Sequence, residues 1–210
     1  REDEYDVHDA FLDEKMHKAI TIMQFKLEGQ LIKEHPEFEM EKRLLLDKIN
    51  IEKGIVCVEE TEYPLKDVSF PTIDWEDPYR LSEDEADVME RLVTAFVNCE
   101  KLQRHVRFLY TQGSLYKVYN GNLLYHGCVP LNEDGTFTRV NVFGKEYAGK
   151  ELYDVLEGYA RKGYYAIDPK EKKKGQDILW FIWENQNSPV FGKAKMTTFE
   201  RYFIADKTTH

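Results

Sequence analysis

The chain has 210 residues and a formal net charge of −10, and 42% of its residues are hydrophobic and 32% charged. This composition is typical of an ordinary globular protein with enough mass for a hydrophobic core. The acidic balance argues against a general nucleic-acid-binding protein, whose binding surface is basic. No stretch approaches the ~20 apolar residues of a membrane-spanning helix, so a membrane protein is not expected either.

The three cysteines, Cys57, Cys99 and Cys128, are widely spaced and form no Cys-x-x-Cys pair. Because disulfides persist mainly in oxidising compartments, this pattern favours a cytoplasmic protein. Cys128 is interpreted as a small buried hydrophobic residue rather than as a reactive thiol.

Helical periodicity dominates the first fifty residues. A helix is predicted from about Asp9 to Glu34 or His35, because apolar residues recur every three to four positions and Pro36 disfavours continuation. Its apolar stripe comprises Leu12, Met16, Ile20, Met23, Leu27 and Leu31. A second helix is predicted after Pro36, with inward-facing residues Phe38, Leu44, Leu45 and Ile49. Three histidines among charged neighbours are interpreted as surface residues, namely His8, His17 and His35.

The next segment alternates between β-forming and helical patterns. Residues 54–65 predict a small hairpin with Glu59-Glu60 at its centre, and the prolines within 70–79 indicate an extended loop. Ser82 and Glu85 have the spacing of a capping box, which predicts the start of one long helix ending before Gly113. On this helix Arg104 and Arg107 lie one turn apart, either as a solvated face or as an anion-binding edge.

Two short β-forming runs follow, separated by the dipeptide Asn120-Gly121. Asn-Gly supplies the two positive φ angles of a tight hairpin turn, so residues 114–127 predict a β-hairpin. The second run leads directly into His126-Gly127. On spacing alone, His126 is either a metal or catalytic residue or a structural histidine with its hydrogen bonds satisfied.

Towards the end of the chain, residues 132–135 predict a turn, 137–143 a strand, and Gly149 the start of a helix. The basic run 170–174 is interpreted as a flexible surface loop, because Pro169 and Gly175 flank it and no aromatic residues interrupt it. Trp180 and Trp183, three residues apart, are interpreted as core residues.

Three long segments, 16–50, 101–137 and 191–210, resemble the class 3 fructose-1,6-bisphosphatases of bacteria. These enzymes are a branch of the calcineurin-like metallophosphatases, so the resemblance implies a helix-rich α+β fold. Residues 1–112 would form a mainly helical region with a small hairpin. Residues 113–210 would form part of the mixed β-sheet core of a metallophosphatase, with the hairpin at 114–127 and the helices that follow it.

The resemblance also implies a two-metal phosphatase site. Of the family's metal-binding motifs we find the His-Gly at His126-Gly127, and Asp-x-His, Gly-Asp-x-x-Asp and Gly-Asn-His are expected to lie outside this chain. His126 is therefore expected to be a metal ligand, with Mn²⁺ as the first choice and Mg²⁺ as the second. The chain is expected to be an internal piece of the enzyme, inactive by itself and without a catalytic residue of its own.

The implied reaction is the hydrolysis of fructose 1,6-bisphosphate to fructose 6-phosphate and phosphate in gluconeogenesis. Since the chain is acidic, a bisphosphate would need local cations, for which Lys193, Lys195 and Arg201 are the candidates. The same cations are equally compatible with an ordinary surface loop. Two other functions stay open, namely a non-catalytic helical interaction module and a metallophosphatase acting on another phosphate ester. A homo-oligomer is also left open.

Overall fold

The computed structural model describes residues 7–191 and 198–205, with side chains for 11–191, 199 and 201–205. Within these residues the chain is α+β, with long helices and three small antiparallel sheets. The expected class is therefore confirmed, although the described strands do not form the mixed sheet predicted from the resemblance.

The helices are α1 (Val7–Glu34), α2 (Glu83–Val97), α3 (Glu100–Gln112), α4 (Gly149–Tyr165), α5 (Pro169–Glu184) and α6 (Thr198–Phe203). The strands are β1 (Ile49–Asn50), β2 (Ile55–Val58), β3 (Thr61–Pro64), β4 (Tyr116–Tyr119), β5 (Asn122–Tyr125), β6 (Val140–Val142) and β7 (Lys145–Tyr147). The sheets have the strand orders β1-β2-β3, β4-β5 and β6-β7.

The described residues form two compact units. The first contains residues 7–34, 41–93 and 203–205, and the second contains residues 35–40, 94–191 and 198–202. The proposed division of the sequence at residue 112 stays a prediction.

In the first unit, α1 ends at Glu34 as the sequence predicts, and among its described side chains, residues 11–34, the buried ones lie in the second half of the helix. Met23 and Leu31 are about 95% buried, whereas Leu12 and Met16 are more than half exposed. The expected stripe is therefore wrong for the first half of α1. Packing in this unit uses the later turns, where the Tyr79 ring lies so close to Gly29 that a side chain there would overlap it.

The second predicted helix is wrong. Residues 36–48 contain three separate 3-10 turns, Pro36–Phe38, Glu41–Arg43 and Leu46–Lys48. Glu39 directly follows the first turn with φ 55°, a left-handed conformation that stops a right-handed helix. The inward positions are partly correct, because Phe38 and Leu45 are buried.

The hairpin predicted at 54–65 is confirmed. Strand β2 pairs with β3 in the register Ile55↔Pro64 to Val58↔Thr61, and Glu59 and Glu60 both have positive φ in the turn. Residues 70–79 are irregular, as expected for an extended loop.

The capping box at Ser82 is also confirmed. The Glu85 amide donates to Ser82 Oγ at 3.2 Å, and the Ser82 amide donates to Glu85 Oε2 at 2.8 Å. The single long helix is wrong, however, because α2 ends at Val97 and α3 begins at Glu100. Cys99 has the extended backbone of an N-cap, so α2 and α3 are separate helices although their apolar periodicities run on from one another.

In the second unit, α4 and α5 pack closely through two glycines. A Cβ on Gly175 would lie 2.1 Å from the Gly163 amide nitrogen, so the helix backbones meet where neither has a side chain. Leu152, Leu156 and Ile178 are fully buried at the surrounding positions.

The basic run 170–174 is helical, which corrects the loop predicted there. Asp168 caps α5 by accepting a hydrogen bond from the Glu171 amide at 2.9 Å, and Pro169 occupies the first turn. Both features are ordinary signals for a helix start, and they outweigh the five consecutive charged residues. Trp183 is 39% exposed, so its assignment to the core is wrong, although its ring contacts that of Trp180.

Candidate functional site

His126 lies at the exit of β5, where the described chain bends away from the hairpin. The hairpin has the predicted turn, with φ 50° at Asn120 and 74° at Gly121, and the register Tyr116↔Tyr125 at its base. The imidazole is exposed, and among the described residues neither ring nitrogen has a hydrogen-bond partner. An imidazole in this state can offer a lone pair to a metal ion.

The segment after His126 lies against the loop that follows α5. The Cys128 amide donates to the Pro189 carbonyl at 3.0 Å. A Cβ on Gly127 would lie 2.3 Å from the Pro189 oxygen and 2.4 Å from the Val190 oxygen, so only glycine permits this approach. The structure therefore places the His-Gly pair against Pro189 and Val190 in the loop that follows α5.

Side chains within this loop hold its backbone in place. The Asn185 amide group donates to the Phe38 carbonyl at 2.7 Å, and its oxygen accepts from the Asn187 amide at 2.7 Å. Ser188 Oγ accepts from the amides of Val190 and Phe191 at 3.1 and 3.2 Å. Asn185 and Ser188 are buried and hydrogen-bonded, so they hold the backbone around the Pro189 and Val190 carbonyls that Gly127 contacts.

Helix α4 also contacts the segment that follows His126. The Tyr153 hydroxyl donates to the Cys128 carbonyl at 2.7 Å, and the Tyr153 ring makes edge-to-face contacts with Tyr116 and Tyr125. Burial raises the pKa of Tyr153 to about 12, with smaller contributions from Cys128 and Tyr125. The hydroxyl is therefore protonated and able to donate at neutral pH.

The start of the hairpin is attached to α4 by a carboxylate. Glu157 accepts from the Ser114 hydroxyl at 2.6 Å and from the Leu115 amide at 2.9 Å, and it pairs with Arg161. Arg161 also donates to the carbonyls of Tyr110 and Gly113 at the end of α3. Burial alone would raise the pKa of Glu157, but the hydrogen bonds from Ser114, Arg161 and Leu115 lower it.

An apolar cleft of about 260 Å³ lies between the hairpin and α4. Its walls are mostly hydrophobic and aromatic side chains, namely Tyr116, Val118, Leu123, Tyr125, Phe137 and Tyr153. Lys150 is a cation in this lining, and its ammonium group is already paired with Asp154. The cleft is therefore unsuited to a sugar carrying two phosphates.

His35 was expected at the surface, but its side chain is only 12% exposed. Its Nδ1 lies 3.0 Å from Glu37 Oε1 and its Nε2 lies 3.1 Å from Asp177 Oδ2, while Phe38 stacks on the ring. Lys173 also donates to Asp177. Because these polar atoms already have partners, we interpret the cluster as a structural ion-pair network. His17 is exposed as predicted, and the side chain of His8 lies outside the described part.

The other predicted site residues are only partly described. Lys193 and Lys195 lie outside the described residues, whereas Arg201 is exposed on α6. Arg104 and Arg107 are exposed on α3. Among the described side chains, no group of three or more potential metal ligands includes His126. The described group that has the spacing of metal ligands is Glu34, His35 and Asp177, so the exposed imidazole of His126 is not part of a metal-ligand cluster among the described side chains.

The sequence does contain one triplet of the form Asp-x-His, at Asp6-Val7-His8, which corrects the expectation that this motif lies outside the chain. Asp6 lies outside the described residues, and a three-residue pattern of this kind is too short to carry weight. Tyr153 and Ser188 were also missed. The i, i+4 spacing of Tyr153, Glu157 and Arg161 marks one face of α4, and this regularity is the signal in the sequence that could have indicated their joint role.

Comparison with known proteins identifies the family. The whole chain, residues 1–210, matches the family described as Firmicute fructose-1,6-bisphosphatase. The chain belongs to this family. Similar proteins include the class 3 fructose-1,6-bisphosphatase of Clostridium botulinum strain Langeland, which is 56% identical over 203 residues.

The class 3 fructose-1,6-bisphosphatases of Clostridium tetani strain Massachusetts and Clostridium novyi strain NT are 54% and 55% identical over 206 and 197 residues. The aligned regions cover 96%, 98% and 93% of this chain for the three relatives, but only 30%, 31% and 30% of the relatives themselves. The chain thus spans about a third of the length of the curated relatives it matches. No solved structure matches it.

None of the described helices has both the length and the apolarity that are needed to cross a bilayer.

Proposed function

We propose that this chain is a region of a cytoplasmic, metal-dependent class 3 fructose-1,6-bisphosphatase. The complete enzyme would hydrolyse fructose 1,6-bisphosphate to fructose 6-phosphate and phosphate in gluconeogenesis. The observation that carries this proposal is the identity of about 55% to relatives with that name, over nearly all of this chain. Three free cysteines are consistent with a reducing cytoplasm.

Within that enzyme, His126 would be one ligand of the metal centre. Its exposed imidazole, without a hydrogen-bond partner among the described residues, supports this role. When bound, divalent metal supplies Lewis-acid activation of the phosphate and of the attacking water. We propose Mn²⁺ first and Mg²⁺ second, because hard, oxygen-rich sites suit both ions. The remaining ligands, and the metallophosphatase sheet that would carry them, belong to polypeptide beyond this region.

The cations Lys193, Lys195 and Arg201 would bind the phosphate that is not hydrolysed. A substrate with two phosphates needs an anchor away from the metals to orient the reacting group. Gly127 rests on the carbonyls of Pro189 and Val190, which precede Lys193 by four and three residues in the sequence. Lys195→Ala and Arg201→Ala should each raise KM several-fold, and an unchanged KM in both would remove this part of the proposal.

The test compares a full-length enzyme containing this region with its His126→Ala variant. Binding of Mn²⁺ is measured by electron paramagnetic resonance, and phosphate release is measured with fructose 1,6-bisphosphate and with a phosphopeptide. His105→Ala is the matched control, because His105 is also exposed but lies on α3. We expect His126→Ala alone to weaken Mn²⁺ binding and to reduce turnover of the sugar bisphosphate. Equal Mn²⁺ binding in both variants would refute the ligand role, and preference for the phosphopeptide would refute the substrate.

A non-catalytic interaction module is the second candidate. It is favoured by the apolar exposure of α3, where no residue is buried and Phe108 and Leu109 are each 65% exposed. Large exposed apolar residues close together are typical of interaction surfaces. Unchanged Mn²⁺ binding and unchanged turnover in the His126→Ala enzyme would favour this alternative.

A further inference from the structure

The backbone that follows His126 is held by contacts from two separate parts of the second unit. On one side the Cys128 amide donates to the Pro189 carbonyl at 3.0 Å. On the other side the Cys128 carbonyl accepts a hydrogen bond from Tyr153 at 2.7 Å. Both polar groups of the Cys128 backbone are therefore engaged two residues after the imidazole.

Tyr153 makes a second kind of contact with the same region. Its ring lies edge-to-face against Tyr116 and Tyr125, at centroid distances of 5.6 and 6.4 Å. These two tyrosines are paired across the base of the hairpin, and Tyr125 directly precedes His126. A single side chain, only 4% exposed, thus contacts the chain on both sides of the imidazole.

We propose that Tyr153 is the positioning residue of His126, and this inference rests on the proposed metal-ligand role of that histidine. Metal affinity depends on how rigidly the surrounding groups hold each ligand, because a loosely held ligand loses conformational entropy when the ion binds. Tyr153 does not touch the ion or the substrate in this scheme. It fixes the backbone that carries the imidazole, because its ring contacts Tyr125, which precedes His126, and its hydroxyl donates to the Cys128 carbonyl, which follows His126.

The experiment removes only the hydroxyl. Tyr153→Phe in a full-length class 3 enzyme keeps the ring contacts and deletes the hydrogen bond to Cys128. Tyr116→Phe is the matched control, because it deletes a tyrosine hydroxyl that donates to Asp154 at 2.8 Å rather than to the chain after His126. Binding of Mn²⁺ alone is measured by electron paramagnetic resonance, and folding is followed by circular dichroism on heating.

We expect Tyr153→Phe to weaken Mn²⁺ binding by roughly tenfold, the lower end of the effect of groups that support metal ligands. Tyr116→Phe should leave the Mn²⁺ affinity unchanged while lowering thermal stability to a similar extent. In the His126→Ala background, Tyr153→Phe should have no further effect on Mn²⁺ binding, because the ligand through which it acts is gone.

The outcomes separate this inference from the proposed function. If His126→Ala leaves Mn²⁺ binding unchanged, the proposed ligand role fails, and the positioning role fails with it. If His126→Ala weakens binding but Tyr153→Phe does not, or if Tyr116→Phe weakens it equally, only the positioning role is refuted. A persistent effect of Tyr153→Phe in the His126→Ala background would likewise refute it.

Discussion

A buried ion pair in the first unit permits a quantitative test of the packing described above. Lys26 is fully buried on α1, and its ammonium group donates to Glu85 Oε2 and to the Thr72 carbonyl, both at 2.7 Å. Glu85 is also the residue whose carboxylate accepts from the Ser82 amide in the capping box. One carboxylate therefore caps α2 and neutralises a lysine that water does not reach.

Lys26→Met removes the charge but keeps an unbranched side chain of similar length. The Thr72 carbonyl would lose this donor, and Glu85 would keep its hydrogen bond from Ser82 but lose its counter-ion. Removing one partner of a buried pair typically costs about 3–5 kcal/mol. Because Glu85 retains its hydrogen bonds with Ser82 and Thr72, we expect the lower end, about 3 kcal/mol, which corresponds to a fall in melting temperature of roughly 6–12 °C.

The assay is urea denaturation followed by circular dichroism, with Lys26→Met, Glu85→Gln and the double variant compared as a cycle. The double variant should be more stable than the two single losses predict, because no unpaired charge remains buried. Lys18→Met is the control on the same helix, since Lys18 and its partner Asp67 are both partly exposed and should contribute at most about 1 kcal/mol. A loss below about 1 kcal/mol for Lys26→Met, or strict additivity in the cycle, would refute the reasoning.

Three further predictions follow from local geometry. Burial would raise the pKa of Glu85, but its hydrogen bonds with Lys26, Ser82 and Thr72 lower it below 4.5. The stabilisation from the ionised carboxylate is therefore complete above pH 4.5 and is lost as the pH falls through the pKa of the folded state. Measuring the free energy of unfolding at decreasing pH should show this loss, and Glu85→Gln should abolish it. Gly163→Ala should destabilise the protein by about 1–3 kcal/mol in thermal melts, because its Cβ would lie 2.8 Å from the Gly175 backbone. Gly158→Ala on the same helix is the control: its Cβ meets nothing within 4 Å, so the variant should be more stable by about 0.5–1 kcal/mol. Gly121→Ala should destabilise the hairpin by about 1–2 kcal/mol, because its φ is 74°, and faster amide exchange in 116–125 would report this; unchanged exchange would contradict it.

Signals confined to a few neighbouring residues predicted local structure well. Asn120-Gly121 predicted the turn and the strands beside it, and Ser82 with Glu85 predicted the first turn of α2. In each case the groups that determine the conformation lie within three residues of one another. The sequence therefore contains the whole interaction.

Predictions that depended on what lies opposite an element were less accurate. The apolar stripe of α1 continues through Leu12 and Met16, yet these side chains remain exposed. Periodicity identifies the face that can be buried, but burial also needs a partner surface. The break between α2 and α3 at Cys99 was missed for a related reason, because the apolar spacing of the two helices continues across it.

The candidate site likewise has one part that the sequence predicts and one part that depends on tertiary packing. The motif His126-Gly127 was recognised from the chain itself, and the structure explains the glycine through the carbonyls of Pro189 and Val190. The i, i+4 spacing of Tyr153, Glu157 and Arg161 indicates a shared helix face, but it does not indicate that the Tyr153 hydroxyl reaches Cys128, 25 residues earlier. That contact follows from the way α4 packs beside the hairpin.

The hairpin shows why this packing matters for function. Every residue of β5 is exposed, and three of the four residues of β4 are exposed as well. Two strands with so little burial are marginally stable alone in water. Among the described residues, α4 makes hydrogen bonds to both ends of the hairpin: Glu157 accepts from Ser114 and Leu115 before β4, and Tyr153 donates to Cys128 beyond the end of β5. Loss of the hydrogen bonds made by either Glu157 or Tyr153 should therefore make the hairpin more mobile, and the imidazole of His126 that follows β5 would be held less firmly.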